Sequence, residues 1–431
     1  MPVFVGAGHS SFMKDTDGIG MSSQTTTEIN NMTGMVAGQI VYDETVGAVK
    51  FYNGSSWLKI SAAIPTLTNI SGQILDGAAS TLTLTGTNFL QSNLVVNFLQ
   101  SSDSINVNVT VTPASSVSAT VAVPATVYNN VTAGNVVTLK VTNSDTVSSN
   151  TLTTTAVALP SGGSKTTSGS YTYHTFTSSG NFTNTINSLS AEYLLVGGGG
   201  SGGPGTAGGG GAGGVLAGSG TLSAQVYSIV VGGGGAGNST PNTSYNSGNP
   251  STGFGASAVG GGRGSGTQNG GSYPAGNGGS GGGGSAYPGA AIQSAGSGTS
   301  GQGNPGGVVP STSNQCGGGG GGAGGSGFNG GLGPSEKAGD GGSGTNTYSA
   351  WHTATGTGNG GFIAGGGGGG NGSPAPTPSG GSGGGGAGSR NTSTGGNGVV
   401  NTGSGGGGSW NYTGSPYGSG GSGLVIVRYQ L

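Results

Sequence analysis

The sequence predicts an all-β chain in three parts: a short N-terminal β-hairpin region over 1–62, a β-sandwich over 63–160 and a glycine-rich domain over 161–431. Three observations predict it. Apolar and polar residues alternate over short segments, which is the period of half-buried strands. Glycine supplies 107 of the 431 residues, and only twelve of those precede residue 161. Charged residues make up 5% of the chain, where ordinary globular domains carry about 25%.

In the first part, Gln39-Ile40-Val41-Tyr42 and Ala48-Val49-Lys50-Phe51-Tyr52 read as strands. Asn53-Gly54 follows, a turn pair in which both residues tolerate positive φ. Ser55-Ser56-Trp57-Leu58-Lys59-Ile60 reads as the returning strand. So small a piece cannot bury a core by itself, so it is expected to pack against copies of itself or another protein.

The second part alternates with period two in Thr81-Leu82-Thr83-Leu84-Thr85, in Ile105 to Val111 and in Val117 to Val123. Val136-Val137-Thr138-Leu139-Lys140-Val141 and Ser149-Asn150-Thr151-Leu152 follow. Turn residues such as Asp76-Gly77, Ser102-Asp103 and Ala133-Gly134 punctuate them. About seven short strands in such a stretch form a β-sandwich. Ile64-Pro65-Thr66-Leu67-Thr68-Asn69-Ile70, followed by Leu82-Thr83-Leu84-Thr85-Gly86-Thr87-Asn88-Phe89, resembles the immunoglobulin-like IPT/TIG family. That resemblance implies a spacer or an interaction module.

In the third part the glycines fall in runs, among them 197–200, 208–211, 232–235, 281–284, 317–322, 365–370 and 405–408, without a Gly-x-y period. A collagen triple helix is therefore excluded. A flexible linker is one reading of such composition. Strand-like segments oppose it, because Tyr193-Leu194-Leu195-Val196 and Val226 to Val231 lead straight into glycine and Leu424 to Tyr429 closes the region. The favoured reading is a bundle of packed polyglycine helices of polyproline II type, bordered by strands. Such helices make no internal hydrogen bonds, so each N–H and C=O must find a neighbouring helix. Only a residue without Cβ lets the backbones come that close.

Two further resemblances bear on function. Tyr173-His174-Thr175-Phe176, Ala191-Glu192-Tyr193-Leu194-Leu195-Val196-Gly197-Gly198 and the closing Gly423-Leu424-Val425-Ile426-Val427-Arg428-Tyr429 resemble the glycine-rich domain of tailed-phage structural proteins. Gly38-Gln39-Ile40-Val41-Tyr42 with Val49-Lys50-Phe51-Tyr52-Asn53-Gly54-Ser55-Ser56-Trp57 resembles a segment repeated in phage fibre proteins. The layered glycine also resembles the distal adhesins of T-even-like phages, in which loops between glycine helices touch the host. These resemblances imply a virion structural protein, a fibre or adhesin subunit. The first part would attach it to other virion proteins or to copies of itself, with a trimer as the expected homo-oligomer. The implied partner of the third part is a host cell-surface glycan or protein. A capsid or neck decoration without a dedicated receptor is one alternative, and a secreted bacterial adhesion or matrix protein is another.

Composition and motifs give little support to other classes. Nine Lys and Arg are scattered without a cluster, so nucleic acid is not an expected partner. No run of about 20 apolar residues is present, so membrane insertion is not expected. Met1-Pro2-Val3-Phe4-Val5 does not open a secretory leader. Gly-x-Gly-x-x-Gly matches arise from composition alone, without the β-α-β context of a dinucleotide site. His9, His174 and His352 lie far apart, with surface or strand positions as the ordinary expectation. Cys316 stands alone beside a glycine run. No enzyme, metal or cofactor is therefore expected. The candidate recognition residues are the aromatics in polar segments between runs: Tyr245, Tyr273, Tyr287, Tyr348, Trp351, Trp410, Tyr412 and Tyr417. Tyr and Trp among Ser, Gly and Asn form adaptable recognition loops. The plainer alternative is that they cover the edges of the glycine bundle.

Overall fold

The computed structural model describes residues 22–60, 63–237, 246–268, 271–288, 291–311, 315–331, 337–372, 376–390, 393–410 and 416–431. The chain divides into two compact units, Met1–Ala156 and Val157–Leu431. Among the described residues it is all-β apart from three short helices.

The first unit holds two assemblies. A four-stranded sheet runs in the order β1 (Ser23–Gln24), β2 (Ile40–Asp43), β3 (Ala48–Tyr52), β4 (Trp57–Lys59). Helix α1 (Thr26–Asn30) starts at a capping box formed by Thr25 and Glu28 and contributes the buried Ile29. Asp43 is buried and pairs with Lys50 at 2.6 Å. Burial alone would raise its pKa, but hydrogen bonds from Lys50, Thr26 and the Val46 N–H hold it at about 2.

The sandwich is built from β5 (Thr66–Ser71), β6 (Thr81–Thr87), β7 (Leu94–Gln100), β8 (Ile105–Val111), β9 (Ser118–Ala122), β10 (Val136–Thr142) and β11 (Ser148–Thr155), with the one-turn α2 (Ala125–Tyr128). One sheet runs β5-β6-β9 and the other β11-β10-β7-β8, every pair antiparallel. This is an immunoglobulin-like arrangement. Alternate residues point between the sheets, so Leu82, Leu84, Leu94, Val96, Phe98, Val121, Leu139 and Val141 are sealed from solvent.

The second unit opens with β12 (Ser164–Ser168), β13 (Tyr171–Phe176), β14 (Gly180–Asn184), β15 (Leu189–Val196), β16 (Val215–Leu222) and β17 (Gln225–Ile229). Three small ribbons follow: β18 (Ser251–Gly253) with β19 (Ala256–Ala258), β20 (Gly266–Gln268) with β21 (Gly271–Tyr273), and β22 (Ser285–Ala286) with β23 (Cys316–Gly317). Helix α3 (Ser349–Thr355) precedes the last strand, β24 (Leu424–Tyr429), which inserts between β13 and β15 in the sheet β12-β13-β24-β15-β16. The final residues of the chain thus complete the centre of a sheet begun more than 200 residues earlier.

Beyond that sheet the chain forms a lattice of extended runs. Its hydrogen bonds repeat every three residues, as a threefold helix requires. From residues 197–203, the Gly197, Gly200 and Gly203 N–H groups donate to Gly214, Gly211 and Gly208. Gly198 and Ser201 donate to Asn249 and Asn246, and Gly199 and Gly202 donate to Gly421 and Gly418. Three successive residues therefore face three different neighbours. Residues 208–214 are fully enclosed: they donate to 259–265, 318–321 and 403–406 and accept from 197–203, 280–283 and Gly367. Six neighbours around one helix make a hexagonal packing, and every N–H of residues 208–214 donates to one of them.

Space explains the composition. A Cβ on Gly209 would lie 2.0 Å from the Gly367 carbonyl oxygen, and one on Gly320 would lie 2.0 Å from that of Gly210. Those oxygens are held in the lattice and cannot retreat. The rule is not absolute, because Ala207, Ala212, Ser201, Ser265 and Ser404 are fully buried among the glycines. Ser404 Oγ donates to the Gly383 carbonyl at 2.6 Å, so a small side chain can sit where it replaces a backbone contact.

Candidate recognition surface

The register of the lattice assigns its two ends. Residues 197–203 leave β15 and run away from the sheet, and 208–214 return antiparallel to enter β16. The same outward-and-return pattern continues to residues 417–423, which lead back into β24. The sheet end carries the turns around 299–303 and 400–403 and helix α3. The opposite, loop end carries the β20–β21 ribbon, the β22–β23 pairing and residues Gly237, Ser311, Gly331, Gly372, Arg390 and Trp410.

The eight aromatics do not form one surface. Tyr245 and Tyr412 lie outside the described residues. Tyr273 at the end of β21, Tyr287 after β22, and Trp410 are half-buried at the loop end. Trp410 packs against Gly372, where a Cβ would meet its indole Nε1 at 1.9 Å. Tyr417 is only 3% exposed where it opens the run 417–423, so the expectation of a displayed loop residue is corrected to one packed in the lattice. Tyr348 and Trp351 lie at the sheet end, on α3 and its N-cap. Trp351 is 7% exposed, which corrects the same expectation there.

The reason lies in the sheet. Arg428 on β24 is placed between two rings, its guanidinium carbon 4.1 Å from the Tyr171 centroid and 4.2 Å from that of Trp351. Its Nε donates to Glu192 at 2.6 Å. Trp351 meets Tyr173 and Tyr348 edge-on. Trp351 is therefore the lid of an apolar cluster with Leu194, Ile363, Leu424 and Ile426.

The histidines are also structural. His174 and His352 are buried, not at the surface, although His174 does occupy a strand. His174 Nδ1 lies 2.7 Å from the Gly162 carbonyl, so it carries the proton, and Nε2 accepts from the Tyr429 hydroxyl at 3.0 Å. Burial pushes His174 down and His352 to about 4, so both rings are neutral at pH 7. His9 lies outside the described residues. Among the described residues no group of three His, Cys, Asp or Glu side chains could hold a metal ion. Cys316 is buried on β23 in a small apolar cluster with Ala286, Val309 and Ala338. No helix among the described residues is long and apolar enough to cross a membrane.

Residues that sequence reasoning missed are aliphatic and Phe side chains on the outer runs. Phe328 is 60% exposed, and Val308 and Ile292 are also exposed. Their runs are adjacent, since Gly306 donates to Gly296 and Gly330 donates to Val308. A Phe set among glycine and polar neighbours in Gly327-Phe328-Asn329-Gly330 is the available signal.

Residues 176–430 match a family model described as a glycine-rich domain, which is 255 of the 431 residues. The chain belongs to this glycine-rich domain family. The matched span takes in the lattice and the strands β14 to β24 that border it, so the family is defined by the part of the molecule whose backbone makes the core. No curated protein sequence matches. Among solved structures, 43% of the chain is similar to 67% of the crystal structure of chicken CNTN1 FN1–FN3 domains, at 12% identity and a TM-score of 0.18. At that score the likeness says nothing further about the fold.

Proposed function

We propose that this chain is a structural subunit of a tailed-bacteriophage virion, a fibre or adhesin whose glycine-rich domain holds loops toward the host surface. The observation that carries the reading is the sorting of the lattice into a sheet end and a loop end. A hydrogen-bonded glycine block supplies a neutral, stiff mount, and β21 and the residues after β22 hold Tyr273 and Tyr287 at one end of it. The resemblances of the N-terminal sheet to phage fibre segments and of the sandwich to IPT/TIG modules agree with a stalk-like role. The role is one of binding, not catalysis, and the partner is a host-surface glycan or protein met by Tyr273 and Tyr287 at the loop end.

The test has two stages. Mass spectrometry of purified particles from a lysate that encodes the chain should find it; its absence would end the virion reading. Labelled full-length chain should then bind the host bacterium saturably, with competition by unlabelled chain. A Tyr273→Ala, Tyr287→Ala variant with unchanged thermal unfolding should lose at least tenfold in affinity. A chain that is present in particles but binds no host cell is a decoration fibre, and the adhesin reading fails.

A further inference from the structure

At the sheet end of the lattice a cavity of about 310 Å³ opens between the 299–303 turn and the segment that leads into α3. Gly301 takes a left-handed φ of 76°, which only glycine adopts freely, and the turn closes as the Gln302 and Gly303 N–H groups donate to the Thr299 carbonyl at 3.0 and 3.1 Å. On the other wall Thr345 exchanges backbone hydrogen bonds with Ile363, and Tyr348 follows as the N-cap of α3. Val215 and Ala323 supply the apolar lining. Gly301 and Thr347 are exposed, so the cavity is open to solvent. Its polar walls are fixed. Gln302 Oε1 accepts the Val259 N–H at 2.8 Å and its Nε2 donates to the Ser257 carbonyl at 3.2 Å. Asn304 Nδ2 donates to the Gly322 and Ala323 carbonyls at 2.9 and 3.2 Å. Between them Gly303 leaves no slack, because a Cβ there would strike Ser280 Oγ and the Gly279 carbonyl.

These residues carry hydrogen-bonding capacity that the fold does not use. Among the described residues Asn304 Oδ1 has no donor, the Tyr348 hydroxyl has no partner, and one Gln302 Nε2 N–H is left over. The Thr345 and Thr347 hydroxyls bond each other at 2.9 Å, and the first also accepts the Thr347 N–H, so the pair keeps one O–H to donate. None of the nine lining residues is charged at neutral pH, so an ionic ligand would lose its water without gaining a counter-charge. The geometry points to a binding site for one neutral sugar ring, laid against Tyr348 and hydrogen-bonded by Asn304, Gln302 and the Thr345–Thr347 pair. A sugar presents C–H groups on its faces and hydroxyls at its edge, which is what one aromatic ring among amides and hydroxyls accepts. The volume lies at the lower end of the range for ligand pockets, roughly 300–1,000 Å³, and so suits a single ring and not an oligosaccharide. The ring is a free monosaccharide or the last residue of a chain, since both offer the same groups. The site lies at the sheet end, away from Tyr273 and Tyr287, so it is separate from the loop-end contact and each can fail alone.

The experiment titrates the full-length chain with glucose, galactose, mannose and N-acetylglucosamine, each as the free sugar and as its methyl glycosides, and reads binding by saturation-transfer difference NMR. At least one is expected to bind saturably with a Kd of about 1 mM or tighter. A methyl glycoside that binds as well as its free sugar marks a chain end as the ligand, and one that is refused marks the free sugar. Thr347→Val, at an exposed position, removes one hydroxyl and should weaken binding roughly fivefold. Tyr348→Ala removes the ring and should weaken it at least tenfold. Ala323→Leu fills the cavity and should abolish binding, and it serves should Tyr348→Ala disturb α3. The Tyr273→Ala, Tyr287→Ala variant is the control and should bind the sugar as the wild type does. No binding of any neutral sugar up to about 10 mM overturns the inference. So does binding indifferent to Thr347→Val and Ala323→Leu, and so does binding lost in the loop-end control, which would move the sugar to the other end. Tighter binding of glucuronic acid or adenosine than of every neutral sugar overturns the ligand class.

Discussion

The sandwich and the glycine lattice solve one problem in opposite ways. Both must pair every buried N–H and C=O. In the sandwich, strands pair edge to edge and side chains fill the space between the sheets, so Leu84 and Val96 provide the core. In the lattice there is almost nothing to fill. Residues 208–214 are surrounded by six other backbones, and the core is the hydrogen-bond network itself. Apolar burial is forgiving, because a cavity costs in proportion to its size. A backbone lattice is not, because a Cβ 2.0 Å from a fixed carbonyl has nowhere to go. The difference teaches that glycine richness can specify order as firmly as a hydrophobic pattern does. The entropy lost by ordering glycine, the largest of any residue, is offset only if nearly every backbone group is paired.

The comparison can be broken most sharply at Gly209. Gly209→Ala should cost more than about 4 kcal/mol, an exceptional value for so small a change, because its Cβ would overlap the Gly367 carbonyl. Urea unfolding of the glycine-rich unit within the full chain would measure it, and a loss under about 1 kcal/mol would show that the lattice yields. In the sandwich the matching change is deletion. Leu84→Ala at a fully buried site should cost about 2–5 kcal/mol by the same measurement.

Acid provides a third comparison. His352 has a folded pKa of about 4 against about 6.5 unfolded. Between those values the unfolded chain binds more protons, so stability is full above pH 6.5 and falls as pH drops toward 4, by up to about 3 kcal/mol. His174 acts in the same direction. His352→Gln should flatten the profile; a profile equally steep without the imidazole would remove His352 as its cause. The smallest effect sharpens the first. Gly220 on β16 has open space where its Cβ would stand, so Gly220→Ala should change stability by no more than about 0.5 kcal/mol. Position, and not glycine as such, then sets the cost.

Much of this architecture was legible in the sequence. Period-two alternation located β6, β8 and β10, and Asn53-Gly54 located the β3–β4 turn. The glycine runs, bracketed by the residues of β15 and β24, pointed to packed helices. Strand β7 was missed because Leu94-Val95-Val96 and Phe98-Leu99 place apolar residues side by side and blur the alternation. Which runs touch was not legible. The neighbours of 208–214 come from residues between 197 and 406, and identical Gly-Gly segments carry no address. The candidate aromatics look like loop residues because polar neighbours surround them in sequence. For Trp351 the deciding partner was Arg428, far along the chain, and for Tyr417 it was the lattice. Local composition contains neither.

The central claim is that the glycine runs are an ordered core and not a tether. Backbone hydrogen exchange of the full-length chain, followed by mass spectrometry with peptides covering 208–214, 317–322 and 365–370, tests it most directly. Amides bonded in a stable core open only with global or subglobal unfolding, whereas linker amides exchange almost at once. Protection of those peptides equal to that of β10 in the sandwich, lasting hours at neutral pH, is the predicted result. Complete exchange within seconds in the glycine runs, with β10 still protected, would contradict the lattice.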